Sequence, residues 1–435
     1  MSASILTLSS GTKVYVEPAR ELPVVNISIG FAVGSANDPD GQEGLFRSAM
    51  RMLRRGAGKL TAGDIEASID RLGAEMALDI ASSFSSIHAQ VLRRNLQPFT
   101  DLLTTLLSEP AFSEDEFERL RRDTVAEIIE GRDNDRSLVQ RAFRRSVFAL
   151  HPFGRRTTRA SIERLSRDGL RDAYEQKACV KNLVLAFSGD LDEKEARDLG
   201  ERIVKALPKP KEPAVRSIPE PTLQKGRHLV FVDKPERSQS QILIGGLGSR
   251  ADDPDHFPLL VANAIFGGTF TSRMMREIRS KRGWSYGASS RLGVDCIRQD
   301  FAMWAFPAAQ DTAPCIALEL GLLNTFREKG ISAKELAFIR QYLVRSHAFD
   351  IDTAQKRMQQ FMDATLLGLP EGYFTDFRKN VNAVTLESAN QAVKDRISTD
   401  DLKVVVVGTF RDIGEKVQSV IPDLVKTTVW PFDDD

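Results

Sequence analysis

The sequence repeats its own order of segments at a nearly constant spacing, and this repetition restricts the fold more than any other feature. A strand-like segment followed by a Gly/Asp/Pro turn, a Ser-x-x-Glu capping signature and a late valine-rich or leucine-rich strand each occur twice. The offsets are 214, 219 and 219 residues for the pairs Gly34 and Gly248, Ser113 and Ser332, and Gly189 and Gly408. The sequence therefore predicts a duplicated domain of roughly 210 residues, a usual size for one domain.

Each half combines strand patterns with long helical patterns, which favours an α+β fold. Residues 12–16 and 24–31 have β-type composition and partial alternation, whereas the segment after Ser113 reads as a long helix. We expect two homologous domains, each a mostly antiparallel sheet with helices packed on one face. The expected boundaries are 1–208 for the first domain and 226–435 for the second, with a Pro-rich linker at 209–225.

Composition excludes several classes of function. The chain is 42% hydrophobic and 28% charged, and its 60 basic side chains balance its 60 acidic ones. We therefore expect no nucleic-acid partner and no association with an acidic membrane. The three cysteines are scattered through the sequence, so buried free thiols are expected rather than a disulfide framework.

The first residues carry neither a basic segment nor a long apolar one, and no run reaches the roughly 18 apolar residues of a membrane span. We expect a cytoplasmic protein. A processed periplasmic form stays open.

Residues 266–286 form the most distinctive single motif. An apolar helix end is followed by a Gly-Gly break, a cationic amphipathic helix, Gly283 as a helix stop, and a strand-like segment at 284–286. Thr271 or Ser272 can cap the helix. Arg279 and Tyr286 stand seven residues apart across the stop, so a bend could turn both toward one cleft. The alternative is an unrelated surface arginine and strand tyrosine.

The duplicated α+β pattern, with Gly-Gly-Thr-Phe-Thr-Ser-Arg at 267–273 and Arg-Glu-Ile-Arg-Ser-Lys-Arg-Gly-Trp-Ser-Tyr at 276–286, resembles the pitrilysin family of inverted-zinc-motif peptidases. The resemblance is best to the half-size subunits of that family, which include the mitochondrial processing peptidases and their bacterial relatives. It covers essentially the whole chain.

Active members of that family carry His-x-x-Glu-His on a helix of the first half. Here the corresponding residues are 47–51, Arg-Ser-Ala-Met-Arg. Neither Arg47 nor Arg51 can ligate zinc, and Met50 cannot act as a general base. Glu127 matches the family's distal ligand, but without the other ligands we expect an ordinary helix carboxylate, with which a nearby arginine could pair. None of the five histidines forms an alternative zinc motif, so no metal ligands are predicted in this chain.

The resemblance implies a function for the second-half motif. Arg279 is expected to hydrogen-bond a substrate carbonyl, and Tyr286 to donate to the oxyanion of peptide hydrolysis. The resemblance also implies a homologous His-x-x-Glu-His partner subunit that supplies zinc, an unfolded peptide as substrate, and no activity of this chain alone. Two alternatives remain: a non-catalytic structural subunit, and a peptide-binding homodimer of the same fold.

Overall fold

The computed structural model describes residues 3–434 and contains two six-stranded sheets. The strands β1–β12 are, in chain order, Ser4–Thr7, Lys13–Pro18, Val24–Phe31, Glu75–Ile80, Ser85–Leu92, Leu183–Gly189, Arg227–Asp233, Gln241–Leu247, Ala288–Leu292, Asp300–Ala305, Lys403–Gly408 and Leu424–Pro431.

Fifteen α-helices accompany these strands within the described residues. The helices α1–α15 are, in chain order, Leu45–Met52, Ala62–Arg71, Leu96–Ser108, Glu114–Glu130, Asp135–Phe148, Arg159–Glu163, Arg167–Lys177, Glu193–Ala206, His256–Asn263, Thr312–Lys329, Ala333–Asp350, Ala354–Leu367, Phe377–Ala383, Leu386–Arg396 and Phe410–Ser419.

The two sheets have matching strand orders. The first is β1-β2-β6-β3-β5-β4 and the second is β12-β7-β11-β8-β10-β9. In both, a parallel pair (β2 with β6, β7 with β11) adjoins a run of antiparallel pairs. The predicted α+β class with two homologous, mostly antiparallel sheets is therefore confirmed. The sheets differ at one edge, where β1 is antiparallel to β2 but β12 is parallel to β7.

The chain divides into two compact units that are discontinuous in sequence. Unit 1 contains the residues up to Glu127, Thr157–Ile218 and Ala348–Leu369. Unit 2 contains Ile128–Arg156, Pro219–His347 and the residues from Pro370 onward. Each unit therefore includes one helix from the other half of the sequence: α12 belongs to unit 1, and α5 belongs to unit 2.

In unit 1, α12 packs against β2, β3 and β6. Its Met358, Met362 and Leu366 form a small core with Tyr15 and Val184. Tyr15 stacks on Phe361, with ring centroids 5.4 Å apart. An aromatic pair in this arrangement is worth roughly 0.5–1.5 kcal/mol beyond the area that it buries.

In unit 2, the alternation of strand residues divides the sheet into two faces. Val404 and Val406 of β11 enter the main core, together with Phe231 and Ile244 of the neighbouring strands. Helix α5 packs against β7, β8 and β11. The main helical layer thus covers one face, and the single helix α5 lies against the other.

The Pro-rich segment forms neither helix nor strand from 208 to 226, as its composition predicts. In its unit 1 part, the Ala214 N–H donates to the Gln176 carbonyl and the Ala214 carbonyl accepts from Asn182 Nδ2. Arg216 donates to the Leu366 carbonyl. In its unit 2 part, the Pro219 carbonyl accepts from His151 Nε2 at 2.7 Å. These bonds fasten each part of the segment to its own unit.

Candidate functional site

The motif at 266–286 is built from two short π-helical segments, Ala264–Gly268 and Met275–Ser280. The Lys281 N–H donates to the Arg276 carbonyl, five residues earlier, at 3.0 Å. Single π-turns inserted in helices are rare and occur frequently at functional sites. The sequence predicts a helix here, with an apolar side that the structure buries, but it does not reveal the wider turn.

The predicted ends of this helix agree with the structure. Ser272 Oγ accepts from the Met275 N–H at 3.4 Å, so Ser272 caps the helical turn that begins at Arg273 and leads into Met275–Ser280. Gly283 has a φ of +66°, a left-handed conformation that glycine adopts without strain. The predicted strand at 284–286 is wrong: β9 begins at Ala288, and Ser285 instead bonds the Gly287 carbonyl and the Phe306 N–H.

Arg279 and Tyr286 lie in direct contact. The Arg279 guanidinium carbon is 4.5 Å from the centroid of the Tyr286 ring and 5.0 Å from that of Phe270. Both rings are largely exposed, Tyr286 by 78% and Phe270 by 71%. Among residues 3–434, no hydrogen bond or ion pair engages the Arg279 guanidinium or the Tyr286 hydroxyl. Both donor groups are thus open to a ligand.

A salt bridge anchors the start of the motif. Arg273 donates to both carboxylate oxygens of Glu335, at 2.8 and 2.7 Å, and to the Gly330 carbonyl. The Arg273 hydrogen bond lowers the pKa of Glu335 to about 2, helped by the bonds from Ser332. Ser332 and Glu335 also form the predicted capping box of α11. Sequence reasoning identified that box but missed the attachment of Arg273 to it.

Phe270 is the second residue that sequence reasoning missed. It lies inside the Gly-Gly-Thr-Phe-Thr-Ser-Arg segment, and only the structure shows that its aromatic ring is exposed. A guanidinium over an aromatic face gains roughly 0.5–1 kcal/mol at an exposed site. Two such faces restrict the directions in which the Arg279 donors can point.

Residues 47–51, which the resemblance aligns with the family's zinc motif, lie on α1 of unit 1 beside a cavity of about 640 Å³. Arg47, Met50 and Arg51 line this cavity with Glu127 of α4. Arg51 donates to Glu127 through both terminal nitrogens, at 2.9 and 2.6 Å. The expected arginine partner of Glu127 is therefore Arg51.

The residues of this cavity do not fit a zinc ion. Guanidinium groups carry no free lone pair and stay protonated, so the cavity offers positive charge where a cation would sit. Further ion pairs engage its other carboxylates: Arg54 with Glu66, and Arg55 with Glu116 and Asp123. Within residues 3–434, no group of three or more His, Cys, Asp or Glu side chains could hold a metal ion.

No helix in the described part of the chain is long and apolar enough to cross a membrane.

Two family models match the chain consecutively. Residues 13–161 match the model described as insulinase (peptidase family M16), and residues 164–343 match the model described as peptidase M16 inactive domain.

Among curated relatives, the non-peptidase homolog YmxG of Helicobacter pylori is 21% identical over 400 residues, which is 91% of each chain. An uncharacterized zinc protease of Mycobacterium leprae is 26% identical over 298 residues, 66% of this chain and 65% of its own. The crystal structure of a peptidase M16 inactive domain from Pseudomonas fluorescens has a TM-score of 0.85 and 24% identity, and the match covers 94% of this chain and 98% of that one. This protein belongs to the peptidase M16 family.

Proposed function

We propose that this chain is the non-metal-binding subunit of a heterodimeric zinc peptidase, in which it supplies Arg279 and Tyr286. The single observation that carries the proposal is the contact between these two side chains, with their donor groups free among the described residues. Arg279 donates to a carbonyl oxygen of the bound peptide. The Tyr286 hydroxyl donates to the oxyanion that forms when water attacks the scissile carbonyl.

The value of such donors lies in the transition state. A hydroxyl that meets the developing oxyanion stabilises it more than the ground-state carbonyl, because the charge on the oxygen has grown. Removing one donor from a well-studied oxyanion hole costs about 10²–10³ in kcat. The flanking Phe270 and Tyr286 rings hold Arg279 in orientation before the peptide arrives, which reduces the ordering cost of binding.

The first-half cavity supports the other part of the proposal. Arg51 donates to both carboxylate oxygens of Glu127. No side chain at 47–51 can act as the general base that activates water. The metal and the general base would come from a homologous His-x-x-Glu-His subunit. An unfolded peptide is the proposed substrate.

The test uses the full chain co-purified with that partner and a fluorogenic unfolded peptide. Tyr286→Phe should lower kcat about 10²-fold, with little change in KM and with the complex intact by size-exclusion chromatography. Arg279→Met should raise KM and lower kcat. Tyr342→Phe and Arg276→Met, two exposed positions in the same unit, are the matched controls and should leave both constants unchanged.

Two results would overturn the proposal. If Tyr286→Phe and Arg279→Met both left the rate of the complex untouched, the chain would act as a structural subunit. If the purified chain alone cleaved peptide and held one zinc per chain by metal analysis, the division of labour between two subunits would be wrong.

A further inference from the structure

Three basic side chains stand in one row across the edge of the unit 2 sheet. Lys403 of β11 pairs in register with His228 of β7, and Lys426 of β12 pairs with the same His228. Residues paired in register point to the same face of a sheet. Like charges placed side by side on neighbouring strands are destabilising, so the two lysines disfavour a charged His228 between them.

The row lines a cavity of about 280 Å³, near the lower end of the range for ligand pockets. Arg145 and Ser146 of α5 form the opposite wall, and Trp430 of β12 closes one side. The Arg145 guanidinium lies over the Trp430 ring, 4.5 Å from its centroid. Of the described residues that line the cavity, none is an aspartate or a glutamate.

Lys403 lies at the buried end of the row. Its side chain is only 4% exposed, and its Nζ has no hydrogen-bond partner among residues 3–434. Asp401, two residues before it, already accepts from the Gly226 N–H at 2.8 Å and from Lys225 Nζ at 3.2 Å. A buried ammonium group without hydrogen bonds is costly, and groups of this kind are normally paired.

Burial lowers the pKa of Lys403 to about 8, an effect that the nearby Asp401 opposes. The amine is thus still mainly protonated at pH 7. Burial also lowers the pKa of His228, with further contributions from Lys403 and Lys426.

We propose that this cavity binds a small oxyanion, a phosphate or carboxylate group, held by Lys403 at its base and by Lys426 and Arg145 at its mouth. The ammonium groups and the guanidinium supply charge-assisted donors to such an anion. The site arises where the two sheets differ, because the parallel edge strand β12 brings Lys426 into the row. This inference is independent of the proposed peptidase role, since it uses none of the residues assigned to that role.

The experiment measures the thermal unfolding of the full chain in inorganic phosphate, in acetate and in chloride at one ionic strength. Titration calorimetry then gives the dissociation constants. We expect phosphate, acetate or both to raise Tm above the chloride value, and the stronger of the two identifies the source of the anion. The same Tm in all three salts would overturn the proposal.

Substitutions of the lining lysines test whether the anion binds in this cavity. Lys403→Met should weaken anion binding about tenfold or more, as expected for the loss of a charge-assisted donor. Lys379→Met, an exposed lysine of the same unit, is the control and should bind as the wild type does. If Lys403→Met does not fold, the exposed Lys426→Met carries the test. Wild-type affinity in both pocket variants would contradict the assignment.

Discussion

Arg51 and Glu127 form a two-point ion pair in which each terminal guanidinium nitrogen donates to one carboxylate oxygen. The pair joins α1 to α4 at the position where active relatives of the family are expected to hold zinc. In this chain an arginine side chain, and not a cation, therefore engages the Glu127 carboxylate.

Introducing a His-x-x-Glu-His motif at residues 47–51 should create a metal-binding site. The triple change Arg47→His, Met50→Glu and Arg51→His places two imidazoles four residues apart on one helix face, where they are neighbours. Glu127 already reaches residue 51, so its carboxylate can serve as the third ligand. We expect about one zinc per chain by metal analysis of the variant.

The control adds Glu127→Gln to the triple variant, which should lose the metal because an amide oxygen is a weaker zinc ligand. If the triple variant bound no zinc, the alignment of 47–51 with the family's zinc helix would be wrong.

Phe270 should orient the Arg279 side chain without contributing to the stability of the fold. Phe270→Ala removes one of the two rings that flank the guanidinium, so the Arg279 side chain gains freedom and binds the peptide less well. In the reconstituted complex, we expect KM to rise severalfold. Because Phe270 is mostly exposed, the free energy of unfolding should change by less than about 0.5 kcal/mol.

Leu22→Ala, another exposed apolar position, serves as the comparison for Phe270→Ala. Equal KM values for the two variants would show that Phe270 does not orient the arginine.

Glu319 should make the protein less stable as the pH rises. Its side chain is fully buried in α10, neither oxygen has a hydrogen-bond partner among the described residues, and burial raises its pKa to about 8. The folded state therefore holds a proton that the unfolded state releases near pH 4.5. Its stabilising contribution is complete below that pH and is lost as the pH rises to about 8.

Glu319→Gln removes this titration. Between pH 5 and 8, the free energy of unfolding of the variant should rise relative to that of the wild type by up to about 1.4 kcal/mol per pH unit. Above pH 8 this difference should level off. Urea unfolding at five pH values measures it. Glu328→Gln, an exposed position on the same helix, should give a flat difference. A flat profile for Glu319→Gln would mean that the carboxyl has a normal pKa.

Asp38 and Lys177 form a buried ion pair that sets the start of α1. Asp38 accepts from Lys177 Nζ at 2.7 Å and from the Gly44 and Phe46 N–H groups, each at 3.1 Å. Asp38→Asn leaves the Lys177 ammonium buried without a counter-charge. We expect a loss of about 3–5 kcal/mol in the free energy of unfolding by urea.

For comparison, Asp168→Asn breaks an exposed pair with Arg167 and should cost far less, because solvent screens the two charges. Similar losses for the two aspartates would show that burial does not determine the value of the Asp38 pair.

Much of the architecture follows from the sequence, because its signals are local. Alternation and capping patterns report which segments are strands and helices, and the repeated offsets report the duplication. The pairing of Glu127 with an arginine could also be anticipated from donor chemistry, since no ligand set for zinc surrounds it. The sequence allows a contact of Arg279 with Tyr286 but does not require it, because the helix stop at Gly283 lets the chain bend in more than one way.

Other features depend on contacts between residues far apart in the chain. Only the tertiary structure assigns α5 to unit 2 and α12 to unit 1. The amphipathic pattern of a helix shows which of its faces is buried, but not which sheet buries that face. The alignment of Lys403, His228 and Lys426 depends on which strand forms the edge of the second sheet. By analogy with the first sheet, the repeat would suggest an antiparallel edge strand, whereas β12 is parallel. The sequence by itself thus determined the family, the two sheets and the absence of a His-x-x-Glu-His motif. The tertiary structure decided which helix covers each sheet and which charges meet, since packing and register are set by the whole chain.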